Sequence, residues 1–517
     1  MHFEASMTPF RIASLLNRLL EPELLWIEVS STLQLPSMHI VGLAGPEVAE
    51  AKERIRAAIL SSGFDFPQRR VVLNLSPAHV RKQGTGLDLP MALALLAAQA
   101  QSHSRSNAGG ECVAWGELGL DGALKPTGQA LRTFVAAWKS RVPRLILASS
   151  DASELLRRLK TIPSTALAEH PIPRLHSANT LQEAREILFH PENVREVDLS
   201  QAWLTRLDSN TRAVPEPTPL PLSPSLERIL GTAAAGRHHL LLVGPRGAGK
   251  SHALETLQRL QLPEPESLSL LRGLIQDLRG ERDPDSGARI RRVGSNPRAS
   301  SLQGSLAQGS CIPGEFALAH GGVLVADELP EWPRDARESL REPLETGWVT
   351  LNRVRDRIRF PADFQFAATG NLCPCGSWDG SDTSCACPPP TRDRYLARLS
   401  GPILDRIDLV VRMQAAAPDR RPWNPSRTLE KVQRTRERCE RVWGKAPGRL
   451  SALELESLLT SHPEWTRTRA LSGTPSLRSR HKILRVALTL AAWDEYDSPQ
   501  PAHWMEAPCY RWERLGT

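Results

Sequence analysis

Residues 244–251 read Gly-Pro-Arg-Gly-Ala-Gly-Lys-Ser, the full G-x-x-x-x-G-K-[ST] spacing of a phosphate-binding loop. Gly244, Gly247 and Gly249 would let backbone N–H groups close around phosphate oxygens, and the helix that follows adds its partial positive charge. Lys250 would reach the β- and γ-phosphates, and the Ser251 hydroxyl would help hold Mg2+. Farther on, the apolar run Val323–Ala326 ends in Asp327 and Glu328. Asp327 suits the Mg2+ shell, and Glu328 suits polarising an attacking water. Since one reaction needs both parts, the pairing points to ATP hydrolysis and not to binding alone.

A second cluster is made of sulfur. Cys373-x-Cys375 and Cys385-x-Cys387 are separated by nine residues that include Gly376, Asp379, Gly380, Ser381 and Asp382. Two close thiolate pairs joined by a polar loop can complete a tetrahedral Zn2+ site. The spacing alone leaves open reduced, unliganded thiols. Four-thiolate sites are closed, so a zinc here would be structural.

These residues need elements to position them. His238–Val243 reads as a buried strand running straight into the glycine turn, and Gly322–Ala326 and Phe364–Thr369 as further apolar strands. Strands that deliver polar residues to one edge suit a parallel α/β sheet with its ligand there. Leu226–Ala235 reads as a helix before the loop; Arg427–Val442 and Leu477–Trp493 are the main helices after it. The N-terminal half mixes strands (Leu25–Val29, Arg70–Leu75, Leu145–Ala148) with helices (Val48–Ser61, Pro90–Ala100 capped by Asp88, Thr180–Leu188), an α+β pattern. Prolines at 215, 217, 219, 221 and 224 mark Val214–Pro224 as a semi-rigid linker between the halves.

Composition bounds the rest. A chain of 517 residues exceeds one ordinary core, and 40% hydrophobic with 24% charged residues excludes a wholly disordered protein. The longest apolar stretch, Leu89–Ala98, is too short for a membrane span, and no signal peptide is read at the N-terminus. Eight cysteines do not make a disulfide scaffold in a chain this size. The expectation is a soluble, cytoplasmic, multidomain protein. Its net charge is +8, and the segment from Asp419 onward holds 18 Lys+Arg against 12 Asp+Glu. That is compatible with nucleic acid, although an Arg/Glu-rich helix is usually a solvated face.

Several motifs carry a specific resemblance. Gly-Gly-Val-Leu-Val-Ala-Asp-Glu-Leu-Pro-Glu-Trp (321–332), Leu-Ser-Gly-Pro-Ile-Leu-Asp-Arg-Ile-Asp-Leu (399–409) and Asn-Leu-Cys-Pro-Cys-Gly (371–376) resemble the Mg-chelatase-like AAA+ family of the YifB/ComM type. So do His-Ile-Val-Gly-Leu (39–43), Ser-Gly-Phe-Asp-Phe-Pro (62–67) and Asp-Leu-Pro (88–90). The resemblance spans nearly the whole chain in the family's order. It implies an N-terminal domain at 1–190 similar to the Lon protease domain (ribosomal S5-like) and a Pro-rich linker at 191–224. An AAA+ core at 225–415 with a four-cysteine insertion at 371–390 follows, then a helical lid at 416–517. The family carries a similar four-cysteine insertion, which favours structural zinc.

The resemblance also implies roles. Asn371 would be sensor 1, Arg406 an arginine finger reaching a neighbouring subunit's site, and Arg478 sensor 2 on the lid helix. A finger requires a ring, by the resemblance a hexamer. Trp348–Leu351 and Arg357–Phe360 look like a hairpin just before sensor 1, the place from which related motors project a hairpin into the central pore. Period-2 spacing puts Arg357 and Arg359 on one face, with Arg353 and Arg355 near the tip. The open alternative is a surface hairpin paired with acids such as Glu345 and Asp356.

Departures from the family are specific. Val-x-Gly-Gln is missing from Pro221–Leu230, Pro-His-His is replaced around Pro297–Ala299, and Leu372 stands where sensor 1 is normally followed by proline. The Lon-type Ser–Lys dyad has no counterpart either. The loop Lys82–Asp88 holds no serine, only Thr85, and Pro126–Arg132 offers Leu131 at the lysine position with Lys125 and Arg132 nearby. A docking or ring-forming role is expected of that domain. For the whole chain the resemblance implies an ATP-hydrolysing ring motor, a DNA helicase or branch-migration factor acting on single-stranded or branched DNA in recombination during natural transformation. The alternative is a motor that remodels a protein partner.

Overall fold

The computed structural model describes residues 11–16, 18–82, 84–103, 111–203, 221–262, 265–280, 290–307, 310–352, 357–379, 385–414, 421–467 and 476–512. The chain divides into two compact units, one formed by 1–213 with 265–287, the other by 214–264 with 288–517.

The first unit is built on a seven-stranded mixed sheet. Its strands are β1 (Arg11–Leu16), β2 (Glu23–Thr32), β3 (Ser37–Val41), β4 (Arg70–Ser76), β5 (Cys112–Trp115), β8 (Arg144–Ala148) and β9 (Arg174–Ala178), in the order β3-β4-β2-β1-β5-β8-β9. A small hairpin, β6 (Glu117–Leu118) and β7 (Leu124–Lys125), stands apart from it. β1 and β4 pair antiparallel with β2, while β5, β8 and β9 continue parallel from β1. Helix Pro46–Ser61 and the strongly apolar Asp88–His103 supply much of its core.

Two expectations change here. Asp88 does not cap its helix from outside. The helix begins at Asp88, whose buried carboxylate takes the Arg54 guanidinium at 2.8 Å. Burial raises the Asp88 carboxyl against the pull of Arg54. Residues 191–203, expected in the linker, fold into this unit, with Leu199 and Ala202 in its core and Val197 bridged to Leu175. Residues 214–220 lie outside the described residues, but Pro221–Pro224 are folded into the second unit. There Leu222 and Arg421 exchange backbone hydrogen bonds, and Pro224 opens a helix capped by Ser223.

Helix Ser267–Arg279 also belongs to the first unit, although it follows the phosphate-loop helix in sequence. Its Leu274 joins the first core, and Gly273 lies against Leu131 and Ile162. Asp277 sits there beside Arg132 and Arg158, and burial pushes its carboxyl up to about 6 against those two charges.

The second unit centres on a five-stranded, all-parallel sheet in the order β11-β14-β17-β10-β18. These are Ile290–Val293, Val323–Ala326, Gln365–Gly370, Leu240–Val243 and Leu409–Arg412. Strands β10, β14 and β17 are buried throughout, as befits a sheet covered on both faces. Two hairpins lie outside it: β12 (Gly304–Ala307) with β13 (Ser310–Pro313), and β15 (Trp348–Asn352) with β16 (Arg357–Pro361). Helices Pro425–Trp443 and Leu477–Trp493 pack with Pro224–Gly236. A Cβ at Gly231 would lie 2.1 Å from the Trp493 ring, so only glycine permits that approach. Among the described residues no helix is long and apolar enough to cross a membrane.

Candidate functional site

β10 delivers the chain into the turn 244–249, and helix Lys250–Arg259 leaves it, the strand–loop–helix order the sequence predicts. Gly247 and Gly249 hold φ of 78° and 89°, left-handed values that glycine adopts without strain. Lys250 folds back over the loop. Its Nζ donates to the carbonyls of Gly244 (2.7 Å) and Pro245 (2.8 Å) and to Asn371 Oδ1 (3.0 Å). Burial lowers the Lys250 ammonium, with Glu328 opposing and Arg246 adding to the shift.

The neighbouring strands supply the other groups, because parallel strands all end at this edge. Asn371 follows β17 directly and is buried. Asp327 and Glu328 follow β14. Asp327 donates its N–H to Val293 O and lies 3.7 Å from Arg292 Nε. Glu328 is left-handed at φ 51°, and its N–H donates to Thr369 Oγ1 at 3.0 Å. That conformation disfavours a residue with a Cβ, so the turn fixes where this carboxylate points. Lys250, Glu328 and Asn371 thus converge, with Asp327 and Ser251 on the adjoining turns.

Beside the loop opens a cavity of about 310 Å3 lined by Leu222, Leu226, Ile229, Gly249, His252 and Met413. It is mostly apolar. The segment that lacks the Val-x-Gly-Gln element is therefore the one that walls it. The Leu222–Arg421 backbone pairing holds that wall.

Arg406 and Arg478 are not with Lys250. Both converge on Glu345: Arg406 Nη2 bonds its Oε2, and Arg478 Nη2 lies 3.7 Å from its Oε1. Arg478 also lies 3.8 Å from Asp405. They border a basin of about 700 Å3 that includes Lys445, Arg449, Lys482 and Arg485 but no phosphate-loop residue. Beneath it, Asp408 accepts from the His238 ring at 3.3 Å and lies 3.7 Å from Arg485. Burial alone would raise the Asp408 carboxyl, yet His238, Arg485 and His239 hold it below the ordinary range. Burial and the nearby Arg449 push His239 down to about 3. Glu345 could not have been read as this partner, because it is 61 residues from Arg406 and only folding joins them.

The four thiols meet. One Sγ from each of Cys373, Cys375, Cys385 and Cys387 lies within 4.8 Å of every other, with contacts of 3.3, 3.4 and 3.5 Å among the first three. A zinc bonded to four sulfurs at about 2.3 Å needs sulfurs about 3.8 Å apart, so this donor set fits that ion in both softness and size. Residues 380–384 of the intervening loop lie outside the described residues. A backbone N–H at Ser377 and the adjacent thiols lower the Cys375 thiol, whereas burial raises Cys385.

On the β15–β16 hairpin, Asn352 faces Arg357 and Thr350 faces Arg359. Both arginines are exposed, and Arg359 lies over the Trp348 ring at 4.9 Å. Arg353, Arg355 and Asp356 lie outside the described residues. Glu345, one of the acids considered for these arginines, bonds Arg406 instead. The sequence reading missed the β12–β13 hairpin, which interrupts the helical run Ala299–Gln303 and Glu315–Leu318 and whose Gly304 approaches Leu351. The Gln308-Gly309 step between short alternating runs was its only signal.

In the first unit, Thr85 Oγ1 donates to the Glu117 carboxylate and Lys82 Nζ to Pro77 O. Leu131 is buried, and Arg132 Nη2 donates to Leu19 O. Among the described residues no hydroxyl bonds an amine there.

Comparison with known proteins gives two family matches. A model described as "Magnesium chelatase, subunit ChlI" matches residues 223–420, and one described as "Subunit ChlI of Mg-chelatase" matches 27–151. Uncharacterized protein YifB of Escherichia coli is 32% identical over 510 residues, covering 94% of this chain and 93% of its own. Competence protein ComM of Haemophilus influenzae is 32% identical over 500 residues, covering 94% of each. An uncharacterized protein of Mycobacterium bovis is 30% identical over 507 residues, covering 93% and 94%.

Proposed function

The chain belongs to the Mg-chelatase-like AAA+ family of the YifB/ComM type, and on that footing we propose that it is an ATP-hydrolysing ring motor acting on DNA. The observation that carries the reading is the separation of Arg406 and Arg478 from Lys250. Phosphoryl transfer needs positive charge around the γ-phosphate, and two guanidinium groups held together on Glu345 are suited to a neighbour's nucleotide. A site completed by the next subunit implies a closed ring, a hexamer by family analogy.

Within one site, the loop amides and Lys250 would hold the phosphates, and Ser251 and Asp327 would hold Mg2+, which supplies charge neutralisation at the phosphates when bound. Glu328 orients and polarises the attacking water, and Asn371 holds it against the γ-phosphate. Lys250 Nζ, bonded to two loop carbonyls and Asn371, stands beside the groups that would meet the γ-phosphate. Cys373, Cys375, Cys385 and Cys387 would hold a structural Zn2+.

The DNA assignment is supported by the exposed Arg357 and Arg359, two residues apart on one face of β16, and by likeness to a protein named for competence. Guanidinium groups repeated around a pore suit backbone phosphates without sequence preference. The recombination step of natural transformation, by branch migration, is the process this fits. The N-terminal unit, of Lon-like type, would dock or organise the ring without proteolysis. A motor remodelling a protein partner is the second reading, favoured by the magnesium-chelatase-subunit family match. ATP turnover measured with branched DNA, single strands and no DNA separates them. Stimulation by branched DNA, with strand exchange, supports the first; ATPase indifferent to every DNA refutes it.

A further inference from the structure

The four-thiol loop and the phosphate loop are bonded to each other. Within seven residues the chain leaving β17 makes three contacts to residues 244–250. Gly370 O accepts from the Gly244 N–H at 3.2 Å, Asn371 Oδ1 takes Lys250 Nζ at 3.0 Å, and Gly376 O accepts from the Arg246 N–H at 2.7 Å. The last contact comes from inside the thiol cluster, since Gly376 follows Cys375. Its own N–H donates to Cys373 O at 3.1 Å, and Cys373 Sγ accepts from the Trp378 N–H at 3.3 Å.

The fit at this point is close. Gly376 has φ +77°, and a Cβ there would lie 2.5 Å from Arg246 Nε and 2.8 Å and 2.9 Å from its Cγ and Cδ. On the other side Asp379 O accepts from Arg412 Nη2 at 2.6 Å, and Arg412 helps line the apolar cavity. The cysteine loop therefore touches the phosphate-binding turn and the wall of the apolar cavity together.

We infer that the thiol-held turn at Gly376 is a positioning device for the phosphate loop, so that metal occupancy and nucleotide affinity are coupled through the Gly376–Arg246 hydrogen bond. This rests on the zinc reading above. Among the described residues from Cys373 to Cys387 there is neither helix nor strand to fix the chain. Tying their ends through four thiolates removes most of the loop's freedom and holds the Gly376 carbonyl where Arg246 needs it. Released, the carbonyl wanders and the Arg246 amide loses its partner, so the turn samples conformations that cannot close around phosphate. Linkage makes the effect reciprocal: a nucleotide that selects the closed turn must tighten zinc by the same factor.

The test uses the full chain and Gly376→Ala, which leaves all four thiols in place. Zinc is measured by elemental analysis, nucleotide affinity with a fluorescent ATP analogue, and zinc affinity by competition with a chromogenic chelator, with and without a non-hydrolysable ATP analogue. The expected result is about one zinc per chain in both proteins and nucleotide binding weakened at least about fivefold in Gly376→Ala. The analogue should also tighten zinc in the wild type by the factor by which zinc tightens the analogue there, and not in the variant. A zinc-replete Gly376→Ala protein that binds nucleotide like the wild type, with zinc affinity indifferent to nucleotide, overturns the coupling and leaves the zinc reading intact. A wild-type protein that neither contains nor takes up zinc overturns both.

Discussion

Mixing two inactive variants measures whether Arg406 acts across a subunit boundary. Arg406→Ala keeps its own Lys250, Glu328 and Asn371 but offers no guanidinium to its neighbour. Glu328→Gln offers the finger but cannot polarise water. Alone, Arg406→Ala should lose about 10³-fold or more in turnover, the range of arginine-finger removal, and Glu328→Gln should bind ATP without cleaving it. In rings assembled at random from equal amounts, a working site needs an Arg406→Ala subunit followed by a Glu328→Gln subunit. Each choice has a chance of one half, so about one quarter of wild-type turnover should return whatever the ring size. A finger acting within its own chain returns none. The Arg406 side chain is only 12% exposed and also donates to Pro402 O, so thermal denaturation of each variant accompanies the mixing experiment to separate lost folding from a lost finger. The assay is phosphate release from co-refolded or subunit-exchanged mixtures, with mixing verified by fluorescence transfer between labelled subunits. Verified mixed rings with no recovered turnover would refute the argument built on the Glu345 basin.

Three further outcomes follow from other parts of the molecule. Replacing Cys112, Cys311, Cys439 and Cys509 should leave about one zinc per chain, whereas replacing Cys373 and Cys385 should remove it; elemental analysis showing metal lost from the first variant contradicts the assignment. Arg353→Ala with Arg355→Ala should weaken DNA binding and reduce the slope of log affinity against log salt by roughly 1 to 2 units, with DNA-independent ATP hydrolysis nearly unchanged; an unchanged slope removes the hairpin from DNA contact. Asp277 titrates near about 6 when folded, above its ordinary value of 3.8, so the folded state binds the extra proton between them. Its contribution is therefore fully present below about pH 4 and is lost as pH rises through about 6. Chemical denaturation from pH 4 to 8 should show that decline in the wild type and a flatter profile in Asp277→Asn; parallel profiles would refute the shift.

Much of the site was legible because its parts are local in sequence. A glycine turn between an apolar strand and a helix, an apolar strand ending in Asp327-Glu328, and two C-x-C pairs carry their chemistry in adjacent residues. Helix ends were legible to within a few residues where short-range rules apply, as with Thr180 before Leu181–Phe189 and Ser476 before Leu477–Trp493. Those rules failed at Asp88, because Arg54, 34 residues away, captured the carboxylate and drew it into the core.

What the tertiary structure decided were the pairings across long stretches of chain. Parallel strands come together only after crossovers, so nothing local reveals that Asn371 meets Lys250, 121 residues earlier. The same reason hid Glu345 between two arginines, the apolar cavity walled by a segment without the family's element, and the Arg246–Gly376 bond. Helix Ser267–Arg279 shows the limit most plainly. No helix is read there from the sequence, and which of two cores this one enters depends on Leu131, Ile162, Arg132 and Arg158, residues that only the folded first unit assembles. Periodicity fixes that a face is buried; the partner of that face is chosen by shape and charge that exist only once the chain is folded.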